Sequence, residues 1–276
     1  MDRLSIDRAR LTVWAHACAA AFQFLTRIPV PVRVSYGEDV FRLSIAFYPL
    51  VGAAIGLLLV AASEAAAWLM PAGPAGVLVT GLWVALTGAL HLDGLMDTAD
   101  GLMSHRSRER MLEIMKDSRV GAMGVIAGLL ALLMKASLIS ALYRYEAPWS
   151  ALILFAPIWS RWCMMWAIVL WPYARANDQG LGGLFRTATR REAALGTAIA
   201  VAITLIAPVL VDGRLGDAAM CSLALPFIAA LTGWLVCRAI TRKLGGLTGD
   251  TYGALNECVE CALLAASVAF AHNIYG

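Results

Sequence analysis

Long apolar runs separated by short polar stretches dominate this chain. A helix needs about 20 mostly apolar residues to cross the hydrocarbon of a bilayer. Seven stretches fit that length: 43–70, 75–92, 120–142, 148–171, 193–211, 218–237 and 253–274. Those at 193–211 and 218–237 contain no charged residue. The first stretch carries Gly52-x-x-x-Gly56 and the third Gly124-x-x-x-Gly128, spacings that let helix backbones approach closely. Residues 11–26 are also uncharged, but too short to span, and Arg27 and a Pro-x-Pro stretch follow them. On a helix Thr12, His16, Gln23 and Thr26 form one polar stripe, so this segment is expected to lie in the interface or against the bundle. The predicted fold is all-α: a polytopic transmembrane helix bundle of about seven spans plus that N-terminal interfacial or bundle-packed helix. No repeat, low-complexity tract or linker divides it, so residues 1–276 read as a single integral membrane domain without a cleavable signal.

Composition agrees. Hydrophobic residues make up 60% of the chain and charged residues 15%, with a mean hydropathy of +0.72, whereas soluble domains sit near ~45–50% and ~25%. A water-soluble globule and a disordered chain are both excluded. The net charge is +3 and the pI about 8.6, and the placement of the basic residues explains both. Eighteen of the 22 Lys and Arg fall in the stretches before residue 11, 27–42, 93–119, 173–192 and 238–252. Only Arg144 and Arg214 fall on the other side, and Lys135 and Arg161 lie inside spans. By the positive-inside rule the basic loops are cytoplasmic, and no nucleic-acid partner is needed to explain the charge. Lys135 and Arg161 are left as structural or substrate-lining residues that either pair with interior acids such as Glu64 or snorkel. Six scattered cysteines are no disulfide framework, and Cys258-x-x-Cys261 reads as buried thiols.

The chemistry gathers in His91-Leu-Asp-Gly-Leu-Met-Asp-Thr-Ala-Asp-Gly101. Asp93, Asp97 and Asp100 are spaced i, i+4, i+7, so on a helix they share one face. No Lys or Arg occurs between Arg42 and Arg106 to neutralise them. Hard divalent cations bound through oxygen would supply the missing charge, and Mg²⁺ commonly takes one or two carboxylates plus substrate phosphates. Helix capping is the structural alternative. Gly94 and Gly101 would let a phosphate ligand approach the backbone. His91 falls on the opposite face, as a histidine satisfied inside the bundle. Arg106, Glu109, Arg110 and Glu113 form a solvated face of a short helix, and Arg108 reads as one more basic loop residue. Lys116, Asp117, Ser118 and Arg119 flank a helix start and suit a phosphate or diphosphate. Two further loops have this character: Arg175 followed by Gly180, Gly182 and Gly183, and the glycine-rich 245–253 with Thr248 and Asp250, leading to Asn256, Glu257 and Glu260. Acids near a membrane-helix end are costly and usually functional, which marks Asp250 and Glu257.

Taken together, Phe24-Leu-Thr-Arg-Ile-Pro-Val-Pro31, Tyr48-Pro-Leu-Val-Gly52, the aspartate block, Glu113-Ile-Met-Lys-Asp-Ser-Arg-Val-Gly121 and Gly245-Gly-Leu-Thr-Gly-Asp-Thr-Tyr-Gly253 resemble the cobalamin synthase family, the adenosylcobinamide-GDP ribazoletransferases. The blocks run in family order from residue 24 to about 260, departing at Met96 and Met103-Ser104-His105. The resemblance implies a Mg²⁺-dependent enzyme of vitamin B12 assembly in the cytoplasmic (inner) membrane of a bacterium, its active site facing the cytoplasm. It would take adenosylcobinamide-GDP and α-ribazole or its 5′-phosphate, with metal on Asp93, Asp97 and Asp100. Lys116, Asp117, Ser118, Arg119, Arg175, Thr248, Asp250 and Glu257 would meet substrate. Homo-oligomerisation is left open. The rival readings are another membrane phosphotransferase, an aspartate-rich prenyltransferase or a cation transporter. The first two lack their aspartate and Ala-Arg patterns here, and the last calls for acids at mid-bilayer and repeated halves.

Overall fold

The structure is a computed structural model, and it describes residues 3–145, 149–175, 187–211 and 217–275. The loop expected around Gly180, Gly182 and Gly183 lies outside the described residues. The fold is helical: α1 (Arg3–Leu25), α2 (Glu38–Ser44), α3 (Tyr48–Leu69), α4 (Ala72–Thr87), α5 (Leu90–Met103), α6 (Arg108–Ile114), α7 (Ala122–Leu142), α8 (Phe155–Leu170), α9 (Arg190–Val211), α10 (Asp217–Leu244) and α11 (Gly249–Tyr275). Single 3-10 turns lead into α3 and α8.

Five stretches are long and apolar enough to cross a membrane: 38–69, 122–142, 152–170, 223–244 and 249–273. The count is six if α4 and α5 together make one crossing. The helix expected at 193–211 is present as α9, whose end runs beyond the described side chains. The expected span 75–92 is corrected. The helix stops at Thr87, and α5 leaves it at 90°. The break has a local cause, because Gly88 and Ala89 both take the left-handed conformation, at φ +60° and +59°. Gly88 tolerates this freely, whereas an alanine there is strained by about 1–2 kcal/mol. The acidic motif therefore sits on a separate helix, turned away from the crossing direction of α4.

The helix pack is tight where glycine permits it. A Cβ on Gly52 would stand 2.2 Å from the Pro157 carbonyl oxygen, and one on Gly56 2.6 Å from that of Leu154. The first small-residue pair thus seats α3 against the start of α8. Helix α11 is the core of the bundle. It packs on α5, α7, α8 and α10, and Leu255, Val259, Leu263 and Leu264 are buried along it. Helix α1 packs on α2 and α3, with Ala17, Ala21 and Leu25 fully buried, so it is bundle-packed. Gln23 in its polar stripe donates to the Val30 and Val32 carbonyls at 3.2 and 2.9 Å, tying down the proline-containing segment that follows.

Candidate active site

Helix α5 builds the site. It is held by small residues against its neighbours: a Cβ on Gly94 would lie 2.5 Å from the Asp250 carbonyl oxygen, and one on Gly253 2.9 Å from that of His91. Gly101 meets Met115. The expectation that Gly94 and Gly101 admit a ligand is thus corrected, since what approaches them is the protein itself. The outward side of the helix carries Asp93, which is exposed, and Asp97 and Asp100, which are half-buried.

The three aspartates do not share one task. Asp100 turns to the start of α7, where its two carboxylate oxygens accept the Gly121 and Gly124 backbone N–H groups, each at 2.7 Å. A carboxylate at a helix N-terminus satisfies orphan donors and meets the positive end of the helix dipole. A Cβ on Gly124 would come within 2.4 Å of this carboxylate, so the second small-residue pair makes room for a cap. The helix start expected to receive a phosphate is taken by Asp100.

Asp93 and Asp97 make no such backbone cap among the described residues. Burial first, and then the nearby charges of Asp93, Asp250 and Asp100, push the Asp97 carboxyl up to about 6. Among the described residues no three His, Cys, Asp or Glu side chains converge to hold a metal ion. Two carboxylates one turn apart, in a surplus of negative charge, nevertheless fit Mg²⁺, which keeps several waters and completes its shell with substrate phosphate.

Two loops meet this face. Pro172–Ala174 and Gly246–Leu247 pair as a short parallel bridge, with Ala174 N–H on the Leu247 carbonyl at 2.7 Å and Leu247 N–H on that of Pro172 at 2.8 Å. Gly246 allows it, since a Cβ there would lie 2.5 Å from the Pro172 oxygen. The bridge delivers Arg175 to Asp250, 3.1 Å apart and both partly buried. Thr248 is fully buried and caps α11: its hydroxyl accepts the Thr251 N–H at 3.3 Å, while the Thr251 hydroxyl accepts the Thr248 N–H at 2.7 Å. The hydroxyl expected to meet substrate is engaged in holding this helix start.

Arg108 is the residue that the sequence reading missed. Its guanidinium donates to the Leu244 carbonyl at 2.6 Å and the Ala174 carbonyl at 3.1 Å, so it clamps α6 to the bridge. Nothing in its sequence setting separates it from Arg106 or Arg110, of which Arg110 pairs with Glu113 at 2.7 Å on the expected solvated face. Lys116, Ser118 and Arg119 are exposed on the turn between α6 and α7. Asp117 accepts from Arg119 at 2.7 Å, and this guanidinium holds its carboxyl down at about 2.

Glu257 lies apart from this face. It is buried two turns along α11 from Asp250 and pairs with Lys135 at 2.7 Å. Lys135 also meets Glu260, and so does Arg161. The interior acids that pair with Lys135 and Arg161 are thus those of α11. Cys258 and Cys261 are free thiols, Cys261 buried as expected and Cys258 only half-buried.

The helix bundle defines a polytopic membrane protein, with carboxylates and a guanidinium gathered at one end. The chain belongs to the cobalamin-5-phosphate synthase family, whose model matches residues 17–268. Among its relatives is the adenosylcobinamide-GDP ribazoletransferase of Brevibacillus brevis, 40% identical over 88% of this chain and 94% of the relative. Proteins of the same name from Desulforamulus reducens and Roseiflexus are 41% and 39% identical, over 87% and 89% of this chain and 91% and 86% of their own lengths. No solved structure matches.

Proposed function

We propose that this chain is an adenosylcobinamide-GDP ribazoletransferase. It transfers the adenosylcobinamide phosphate group from adenosylcobinamide-GDP to a ribose hydroxyl of α-ribazole or α-ribazole 5′-phosphate. GMP leaves, and the product is adenosylcobalamin or its 5′-phosphate. Family membership and the relatives' shared name support this reading. The observation that carries it is the meeting of the Asp93 and Asp97 face of α5 with the Arg175–Asp250 pair at the start of α11. It is a place built for a diphosphate and its counter-ion.

In the reaction the ribose oxygen bonds to the phosphorus that stays on cobinamide, and the bond from that phosphorus to the GMP oxygen breaks. The hydroxyl proton departs, and negative charge leaves with GMP. Asp93 and Asp97 would hold Mg²⁺, which when bound would neutralise charge on the diphosphate and on the leaving GMP. Arg175, anchored by Asp250, presents a guanidinium to the diphosphate. Lys116 and Arg119 add cations from the neighbouring turn. Asp100 keeps α7 and that turn in register with α5. The charge asymmetry of the loops puts this end in the cytoplasm, and the chain lies in the bacterial inner membrane.

The test is GMP release by the purified protein in lipid or detergent. Adenosylcobinamide-GDP should yield GMP only when α-ribazole and Mg²⁺ are both present. GMP without α-ribazole would make the protein a hydrolase, and none under any condition would overturn the reading.

A further inference from the structure

Beneath the acidic face lies a second ionic group that the reaction does not use. Lys135 of α7 meets Glu257 and Glu260 of α11 at 2.7 and 2.5 Å, and Arg161 of α8 meets Glu260. Asn256 and Ser160 donate to the same Glu260 oxygen at 2.9 and 3.3 Å. Lys135 also stands over the Trp83 ring of α4, 4.4 Å from its centroid. None of these four charged residues is more than 6% exposed. Two cations face two carboxylates, so the group is neutral. Even so, removing each ion from water costs several kcal/mol, and apolar residues of the same size often serve stability as well. A network like this in a membrane protein points to a role beyond holding helices together.

One member belongs to α5. His91, 3% exposed, has its Nδ1 3.4 Å from Arg161 Nη2. A guanidinium can only donate, so Nδ1 is the acceptor and the ring proton sits on Nε2, which has no partner among the described residues. His91 stands two residues before Asp93, about 160° around the helix from it. The turn of α5 that carries Asp93 begins at the strained Ala89 with no side-chain cap. Asp100 fixes the far end of the helix to α7. At the near end, where Gly94 and Gly253 bring the backbones of α5 and α11 together, His91 on Arg161 is the polar side-chain contact.

We infer that the buried Lys135–Glu257–Glu260–Arg161 network is a positioning device, and that His91 is the positioning residue through which it aims Asp93 and Asp97 at the reacting diphosphate. The inference rests on the proposed transferase reading. Misplacing a catalytic group by about 1 Å costs on the order of 100-fold in rate, whereas a substrate bound by other residues keeps its affinity.

The test compares His91→Asn, His91→Gln and His91→Leu in GMP release, with thermal melting of each in detergent. Asn places an oxygen acceptor where Nδ1 stands and should keep kcat within about threefold of wild type. Leu fills the space without an acceptor, and kcat should fall about 100-fold with KM for both substrates within about twofold. Gln carries its acceptor further out and should lose kcat to an intermediate degree. Wild-type turnover by the Leu variant, equal losses for Asn and Leu, or losses confined to KM would each overturn the inference. Should the Leu variant not fold, Gln decides: reduced kcat at unchanged KM sustains the role, and kcat equal to wild type ends it. Failure of the transferase reading looks different, because the wild-type protein then releases no GMP.

Discussion

Helices α5 and α11 each carry two kinds of polar residue, and the contrast between them separates ligand binding from architecture. At their shared end stand Asp93, Asp97 and Asp250, partly open to solvent, with Arg175 the cation placed against them. Deeper in the bundle the same helices supply His91, Glu257 and Glu260, all buried and matched by Lys135 and Arg161. Surplus charge at an accessible end is a demand for a counter-ion. Balanced charge in the interior makes no such demand and acts through geometry. The two groups should therefore fail differently.

The largest expected effect is in the interior. Glu260→Gln leaves Arg161, which is fully buried, without its carboxylate. Breaking a buried pair by removing one partner costs about 3–5 kcal/mol. Thermal melting in detergent should drop by many degrees, and less folded protein should reach the membrane. A midpoint equal to wild type would mean that the interior charges are not coupled as the distances indicate.

At the acidic end the expected loss is of turnover with the fold retained. Asp97→Asn keeps size and removes a hard anionic donor, and kcat should fall about 10²–10³-fold, the scale of one preorganised electrostatic contact. Stability should move the other way. The Asp97 carboxyl is raised to about 6 from the ordinary 3.8, so the folded state holds its proton more tightly than the unfolded state does. In the absence of divalent cations its contribution to stability is full at low pH and is lost as pH rises through that window. Melting of the wild type against pH should decline there, and the Asn variant should flatten the decline. An unchanged slope would remove the argument from charge crowding.

Much of this contrast could be read from residue order. The i, i+4, i+7 spacing placed the aspartates on one helix side, the mass of apolar runs gave the helix bundle, and both small-residue pairs mark close approaches. What escaped depends on partners distant in sequence. Lys135 and Glu260 are 125 residues apart, and no local pattern joins them, although two interior cations and Glu257 and Glu260 of the last helix offered a matching count. The bend at Gly88 and Ala89 was hidden because alanine is a good helix former and one glycine is tolerated in an apolar run. Asp100 looked like its two neighbours because its cap belongs to a helix that starts 22 residues later. Arg108 looked like any loop arginine until the 172–174 and 246–247 backbones were brought under it.

The smallest expected effect concerns the exposed cations of the α6–α7 turn. Lys116 and Arg119 are both exposed, and Arg119 is 88% exposed in its pair with Asp117. Such a surface pair adds little to stability, so changing both residues to Gln should leave melting unchanged. If they grip the diphosphate, each charge-assisted contact is worth about 1.5–3 kcal/mol. Arg119 must first release Asp117, which puts the loss at the lower end, about 10-fold per residue. It should fall on KM for adenosylcobinamide-GDP and leave α-ribazole unaffected. Arg108 cannot serve as the neutral comparison, because it clamps the bridge that carries Arg175. Arg106, exposed on the same loop, is the better one. Equal, mild losses for Arg106→Gln and the Lys116/Arg119 pair would show that these cations only hold the loop on its side of the membrane, and would confine the ligand-binding surface to α5, Arg175 and the start of α11.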